Sequence, residues 1–473
     1  SDDPFSTPLD ALSVTGDDHV VHHNIIGVDA AGQPFGVCGD GIHVGGSFGG
    51  HYVEVLSNTI VGSHGTAGIF VTGGEFGYDL DAITRRNNVI LDSTHEAFAF
   101  GETLPESLRI FNSAQVITIT GTLVTGTSGL NSPCAGCTVE LFLDKIDTVT
   151  ETLQPLAVVT ADGSGNWVAE LPRTLAITEG IRTASTTASD GQITNPSDIY
   201  HAGMTAKLSE LYAQPGAPDP TDPPALVLDP PLPIPAVAYS APPTRPTSYN
   251  TVITVTSAAD PDDSQSTACS DVAADQCTLR RALVEADDLM DTDPNVRPVL
   301  IQFDIPTTAP QYDGTAGTWT IALYDTNQLT ALPTLGSTDV DKSGQVVIDG
   351  WSQPDYDSLR ADQPRIVVRG ADGSKNGLVV NGEHNVIRGL AFQRFKDILK
   401  LNHGSNVVED CWFGLTTDGQ GIYIRDVASP EFGSGDGAIT LAEGADNNLF
   451  QDNVFLGLTG AAINIEGSND NYV

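Results

Sequence analysis

At 473 residues the chain exceeds what one compact core accommodates, so three or four domains are expected. Its 61 acidic against 21 basic side chains give a formal net charge of −40, which excludes general electrostatic attraction to nucleic acid or an anionic membrane. No run of 18 apolar residues occurs, so no membrane span is expected. The acidity leaves three readings: a solvated surface, calcium-bridged carboxylates or adaptation to salt. Ser1 to Pro4 (SDDP) carries neither a basic nor an apolar leader, so a secretion signal is expected to have been removed or to lie upstream.

The first block, residues 1–113, opens with ALSVTGDDHVVHHNIIG at Ala11 to Gly27. This is a short alternating strand, a Gly-Asp turn, then Asn-Ile-Ile. The same phrase returns as Asn58-Thr59-Ile60 and Asn88-Val89-Ile90. Recurrence of this kind, at roughly 20 to 25 residues, is how turns of a parallel β-helix appear in sequence. Inward Ile, Val, Leu and Phe would stack into one core. The Asn residues would sit at corners, tolerate left-handed backbone and hydrogen-bond their copies above and below. A ladder role is favoured for them over a catalytic one.

Residues 114–203 change texture. VITITGTLV, CTVELFLDKI and PLAVVTADGSGNWVAELP alternate with period two and are separated by Asp-Gly and Gly-Asn turns. They predict a small antiparallel sandwich with Trp167 in its core. Residues 204–249 form a linker, and from Ala213 to Arg245 it is too proline-rich for helix or inner strand. An extended tether is expected, reaching on the order of 90 Å. Residues 250–306 read as strand (NTVITVTSA), helix (CTLRRALVEADDLM) and strand (VLIQFDIP), and residues 307–473 return to the Asn repeat at Asn385, Asn406 and Asn453.

The cysteines sort by spacing. Cys269 and Cys277 flank SDVAADQ and are expected to form a disulfide, because an exported chain meets an oxidising compartment. Cys134 and Cys137 form a CxxC for which a small loop disulfide is favoured over redox chemistry. Cys38 and Cys411 stand alone. No zinc-binding spacing of Cys and His is evident.

Strand, cysteine pair, CTLRRALVEA and following strand resemble the CSLREA domain. Its core here reads Cys277, Thr278, Leu279, Arg280, Arg281, Ala282, with Thr for Ser and Arg for Glu. VVIDGWSQP at Val346 to Pro354, PRIVVRGADGSKNGLVV and NVIRGLAFQRF are likewise similar to segments of the large bacterial surface proteins that carry that domain. The resemblance implies an all-β fold: right-handed parallel β-helix blocks at both ends, an Ig-like sandwich between them and a small α/β cap. It says little about activity. In the resembling proteins the cap precedes the helix and the sandwich follows it, whereas here the sandwich comes first.

That order is explained if the last block begins a β-helix and the first block finishes one. AINIEGSNDNYV, Ala462 to Val473, breaks off in mid-repeat where the first block could resume. Uncovered coils expose backbone hydrogen-bonding groups and an apolar cross-section, a liability that proteins normally cover. The expected assembly interface is therefore Ala11, Leu12, Val14, Val20 and Val21 on one side and Ile463, Ile465, Tyr472 and Val473 on the other. The expected partner is another copy, head to tail, as a noncovalent polymer or as part of a longer tandem chain.

Enzyme chemistry is the weaker reading. Asp40 in CGDGIHV, Asp436 in GSGDGAI and adjacent Glu409 and Asp410 are the candidate carboxylates for glycoside cleavage. Each Gly-Asp-Gly is first a turn signature. The Gly-His-Gly of pectin-hydrolysing β-helices is absent, and Arg394-Phe395-Lys396 stands alone. Trp412 and Tyr423 motivate glycan binding or adhesion as the alternative. Asp260-Pro261-Asp262-Asp263, Asp287-Asp288, Asp291 and Asp293 offer hard oxygen ligands for calcium, but none has EF-hand or RTX spacing and solvated turns are favoured. The expectation is an extracellular structural protein, on a cell surface or appendage, with no catalytic residues and no cofactor assigned.

Overall fold

The computed structural model describes residues 10–473 except 29–33, 46–49, 73–79, 101–113, 128–134, 146–150, 187–242, 261–266, 324–331, 337–343, 355–362, 371–375, 415–437 and 456–460, and positions 35, 52, 82, 83, 87, 94, 95, 177 and 396. The chain divides into two units, Ser1–Val28 with Pro34–Tyr239, and Asp29–Gln33 with Ser240–Val473. Strands dominate both, and most pair in parallel.

In the first unit, successive turns of chain each add a strand to the same parallel sheets. Leu12–Val14, Ile42–Gly45, Ala67–Thr72 and Glu96–Phe100 follow one another in one sheet. Val20–His22, Glu54–Leu56 and Thr84–Arg86 make a second, and Ile25–Ile26, Thr59–Val61 and Val89–Leu91 a third. Register places Leu12, Ile42, Ile69 and Phe98 in one column, all buried. Each such apolar side chain contributes about 1.5–3 kcal/mol when fully buried, so repetition in register builds the core.

The same unit contains two antiparallel sheets. One orders Gln115–Thr120, Leu123–Thr127 and Asn166–Glu170; the other orders Gln154–Thr160, Thr138–Lys145 and Glu179–Thr186. Val124, Val139, Leu141, Ile181 and Trp167 pack between them, with Trp167 only 2% exposed as expected. Gly126 is needed there, since a Cβ would fall 2.0 Å from the Trp167 ring. Asp162 shapes the following turn by accepting from the amides of Ser164 at 2.7 Å and Asn166 at 2.9 Å. This body covers the last parallel turn: Thr152 bridges to Ile90, and Phe98 meets Phe142 edge-on at 5.9 Å.

The second unit has three parallel sheets. One runs from Thr251–Val255 through Val299–Phe303, Val346–Asp349, Val386–Arg388 and Val407–Glu409 to Leu449–Gln451. Another carries Thr318–Ala322, Ile366–Arg369, Leu390–Gln393, Trp412–Phe413 and Val454–Phe455. The third carries Leu378–Val380, Leu399–Leu401, Ile439–Leu441 and Ile463–Ile465. Phe392, Phe413 and Phe455 stack with centroids 5.5 and 4.7 Å apart, an aromatic ladder that only exact register permits.

The helix predicted near Cys277 is α1, Leu279–Thr292. Thr278 caps it, accepting from the Arg281 amide at 3.4 Å. Leu279, Ala282, Leu283, Ala286 and Met290 form its buried face, and it packs against the Thr251–Val255 and Val299–Phe303 strands. Arg280 makes a bidentate pair with Asp260 at 2.7 and 2.9 Å, with both side chains buried. The residues of the cysteine-threonine-leucine-arginine core thus serve as cross-link, cap, apolar anchor and buried ion pair.

Of the linker, residues 243–249 are described. Arg245 Nη1 lies 3.6 Å from Glu409, Tyr249 packs on Val347, Val386 and Val407, and the Asn250 amide donates to Pro298 O at 3.0 Å. The segment therefore crosses the strands and covers an apolar column on their outer face.

Candidate functional site

Asparagines mark the turns of both units. In the first, Asn58 Oδ1 accepts from the backbone amide and Nδ2 of Asn24, 34 residues earlier, at 3.0 and 2.9 Å. Asn88 Oδ1 accepts from the same two groups of Asn58, 30 residues earlier, both at 3.0 Å. In the second, Asn385, Asn406, Asn448 and Asn471 repeat this polarity at separations of 21, 42 and 23 residues. The spacing is wider in the first unit than the 20 to 25 residues expected, because each of its turns adds a strand to a fourth parallel sheet, made of Gly16–Asp17, Gly50–His51 and Leu80–Asp81.

Two details of the ladder escaped sequence reading. The left-handed residue is not the Asn but the one before it: His23, Ser57, His384, Ser405, Asn447 and Asp470 all have φ between 55 and 58°. The preceding residue makes the corner, leaving the Asn free to aim its amide along the stack. Asn453 belongs to the next corner, where its Oδ1 accepts from the Cys411 amide at 3.0 Å. Asn448 takes the expected ladder place. An Asn-x-apolar phrase occurs at both corners, so the phrase alone cannot assign them.

The expected interface residues are placed as inward positions. Leu12, Val14, Val20, Val21, Ile463, Ile465, Tyr472 and Val473 are buried, and Ala11 is half-buried. Cys269 and Cys277 form a disulfide with a Cα separation of 4.8 Å. Cys137 is also disulfide-bonded, while Cys134 lies outside the described residues. Cys411 is a buried thiol that burial pushes up to about 12, and Cys38 is exposed.

Of the residues singled out for glycan cleavage or binding, Asp436 and Tyr423 lie outside the described residues. Glu409 and Asp410 face Arg388, at 3.4 and 3.8 Å, and Asp349 lies 3.6 Å from the same guanidinium. Gln451 donates to Glu409 at 2.7 Å. Asp349, Arg388, Glu409 and Gln451 are register partners on successive strands. They form a charge ladder on the sheet's outer face. Burial pushes the Asp410 carboxyl up, helped by the charges of Glu409 and Asp452. Trp412 is half-buried in its strand.

Asp260 is engaged by Arg280, and Asp293 accepts from the Asn295 amide at 2.9 Å. Pro261, Asp262 and Asp263 lie outside the described residues. Among the described residues, the group of His, Cys, Asp and Glu able to converge on one ion is instead Asp10, Asp40 and His43. Asp10 Oδ1 accepts from the Asp40 amide at 2.9 Å, and Asp10 Oδ2 meets His43 Nδ1 at 2.9 Å. Asp40 Oδ1 accepts from the Ala67 amide at 2.7 Å. His43 Nε2 meets Thr72 Oγ1 at 2.8 Å, and the ring lies 5.2 Å from Phe70. Burial pushes the Asp40 carboxyl up, opposed by the Ala67 amide and reinforced by the charge of Asp10. Register brings the group together: Asp10 and Asp40 each lie two positions before the paired strand residues Leu12 and Ile42.

No family model matches the chain, and no curated protein does. Among solved structures it is similar to catalytic domains of GH87 alpha-1,3-glucanase. Two in complex with nigerose show 12% and 11% identity over 74% and 76% of this chain, each with a TM-score of 0.18. One in complex with tetrasaccharides shows 12% identity over 74%, with a TM-score of 0.17. The chain spans 55%, 57% and 64% of those domains respectively. Similarity at this level carries no functional argument. Among the described residues no helix is long and apolar enough to cross a membrane.

Proposed function

We propose that this chain is a secreted structural subunit in which parallel β-helix turns, an Ig-like sandwich and a CSLREA-type cap build an extracellular filament or surface array. Successive copies join head to tail by completing a β-helix between them.

The observation that carries the reading is the polarity shared by the two asparagine ladders. In each, an earlier Asn donates its backbone amide to the Oδ1 of a later one. The two ladders therefore run in the same sense, so a turn of one can continue the other in one direction only. Apolar alternation agrees: Ile463 and Ile465 repeat the inward spacing of Leu12 and Val14. A heterologous joint of this kind propagates to a filament unless its rotation closes. The Cys269–Cys277 disulfide fits an oxidising compartment.

The test is sedimentation over a hundredfold concentration range with negative-stain imaging, on the wild type and on Ile463→Asp with Ile465→Asp. Concentration-dependent growth of wild-type fibres, lost in the double variant, is expected, since a charge buried at the joint costs several kcal/mol. A wild type that stays monomeric throughout would overturn the filament.

A further inference from the structure

We propose that Asp10, Asp40 and His43 form a binding site for a divalent first-row transition cation of the zinc class. The inference is argued from the geometry of these three side chains and does not rest on filament assembly.

Two carboxylate oxygens and one imidazole nitrogen lie within 4.8 Å of one another. Small side-chain rotations bring them to the roughly 2.0–2.2 Å that zinc requires from His and Asp. The set is selective by chemistry: imidazole suits zinc, cobalt and copper, whereas calcium takes six to eight oxygens.

The surroundings are arranged so that binding need not disrupt the turns. Asp10 holds the Asp40 amide with Oδ1 and turns Oδ2 to the imidazole. Asp40 holds the Ala67 amide with Oδ1, and a carboxylate with about four acceptor sites keeps capacity for a metal. Nδ1 faces Asp10 and Nε2 faces Thr72 Oγ1. A neutral ring that binds a cation through Nδ1 carries its proton on Nε2, which then donates to Thr72 Oγ1. A hydroxyl serves either tautomer, so the 2.8 Å contact survives and continues to orient the ring. Gly65 leaves the carboxylate uncrowded, since a Cβ there would lie 2.4 Å from Asp40 Oδ1. The cation also offsets the repulsion between two neighbouring carboxylates.

The experiment uses the full chain stripped with EDTA and titrated with Zn2+ by calorimetry, with Co2+ as a spectroscopic probe. One high-affinity equivalent is expected, with ligand-field absorption from Co2+ and no comparable Ca2+ binding. Asp40→Asn keeps an oxygen for the Ala67 amide and should weaken Zn2+ more than about tenfold with the unfolding midpoint of the stripped protein nearly unchanged. Thr72→Val should weaken it about tenfold by releasing the ring. His22 and His23 meet at 2.8 Å and are the competing histidines, so His22→Ala with His23→Ala is the control, expected to retain binding. Stoichiometric Zn2+ lost in that control but retained in His43→Ala would overturn the proposal, as would the absence of a high-affinity equivalent in the wild type.

Discussion

Thr152 Oγ1 donates to the carbonyl of Asn88 at 3.0 Å, while the Thr152 backbone exchanges hydrogen bonds with Ile90 at 3.0 and 3.3 Å. One residue on a loop of the antiparallel body thereby continues the strand ladder of the parallel turns. Glu151 adds to the cover by accepting from the Asp92 amide at 2.8 Å. Stacked turns present unpaired backbone groups on their last face, and a short edge of this kind is how such a face is closed.

Thr152 is fully buried, so Thr152→Val should leave the Asn88 carbonyl without that donor and destabilise the first unit by about 1–3 kcal/mol. Thr152→Ser should recover most of the loss. Urea denaturation followed by Trp167 fluorescence checks both, and equal stability of the Val variant would show that the hydroxyl is not part of the closure.

Asn406 is 1% exposed and bonded on every side: its Oδ1 takes two bonds from Asn385, its amide donates to Asn448, and its Nδ2 donates to His403 O. Asn406→Ala should orphan buried donors of Asn385 and cost about 2–4 kcal/mol. Asn406→Asp should cost more, because it places an anion in the stack. Hydrogen exchange of the Asn385 amide is the direct readout, and unchanged protection in Asn406→Ala would remove the ladder as a source of stability.

Asp144 gives a pH dependence with a definite sign. Burial pushes its carboxyl up to about 7, against the pull of the Arg182 guanidinium in contact with it, and Glu151 adds to the rise. Between about pH 4 and 7 the folded protein then holds a proton that the unfolded chain has released. Stability contributed by this group falls as pH rises through that window, by at most about 4 kcal/mol. Denaturation of wild type and Asp144→Asn at pH 4.5 and 7.5 isolates it from the other carboxylates. The wild type should lose more stability on raising the pH; equal losses would mean that Arg182 keeps Asp144 ionised throughout.

By itself the sequence determined the character of each segment. Alternating Ile and Val with turn residues specified stacked parallel strands, Trp167 and period-two alternation specified the antiparallel body, and CTLRRALVEADDLM specified α1, because side-chain period and local caps depend only on near neighbours. Tertiary structure decided which turn pairs with which. Whether Asn448 or Asn453 joins the ladder, whether Thr152 meets Ile90, and whether Asp10 and His43 converge on Asp40 all follow from register between residues 23 to 62 positions apart. Register is a collective property: each one-residue slip would turn the inward face outward along a whole turn. Only the packed stack selects among phrases that, read one at a time, are alike.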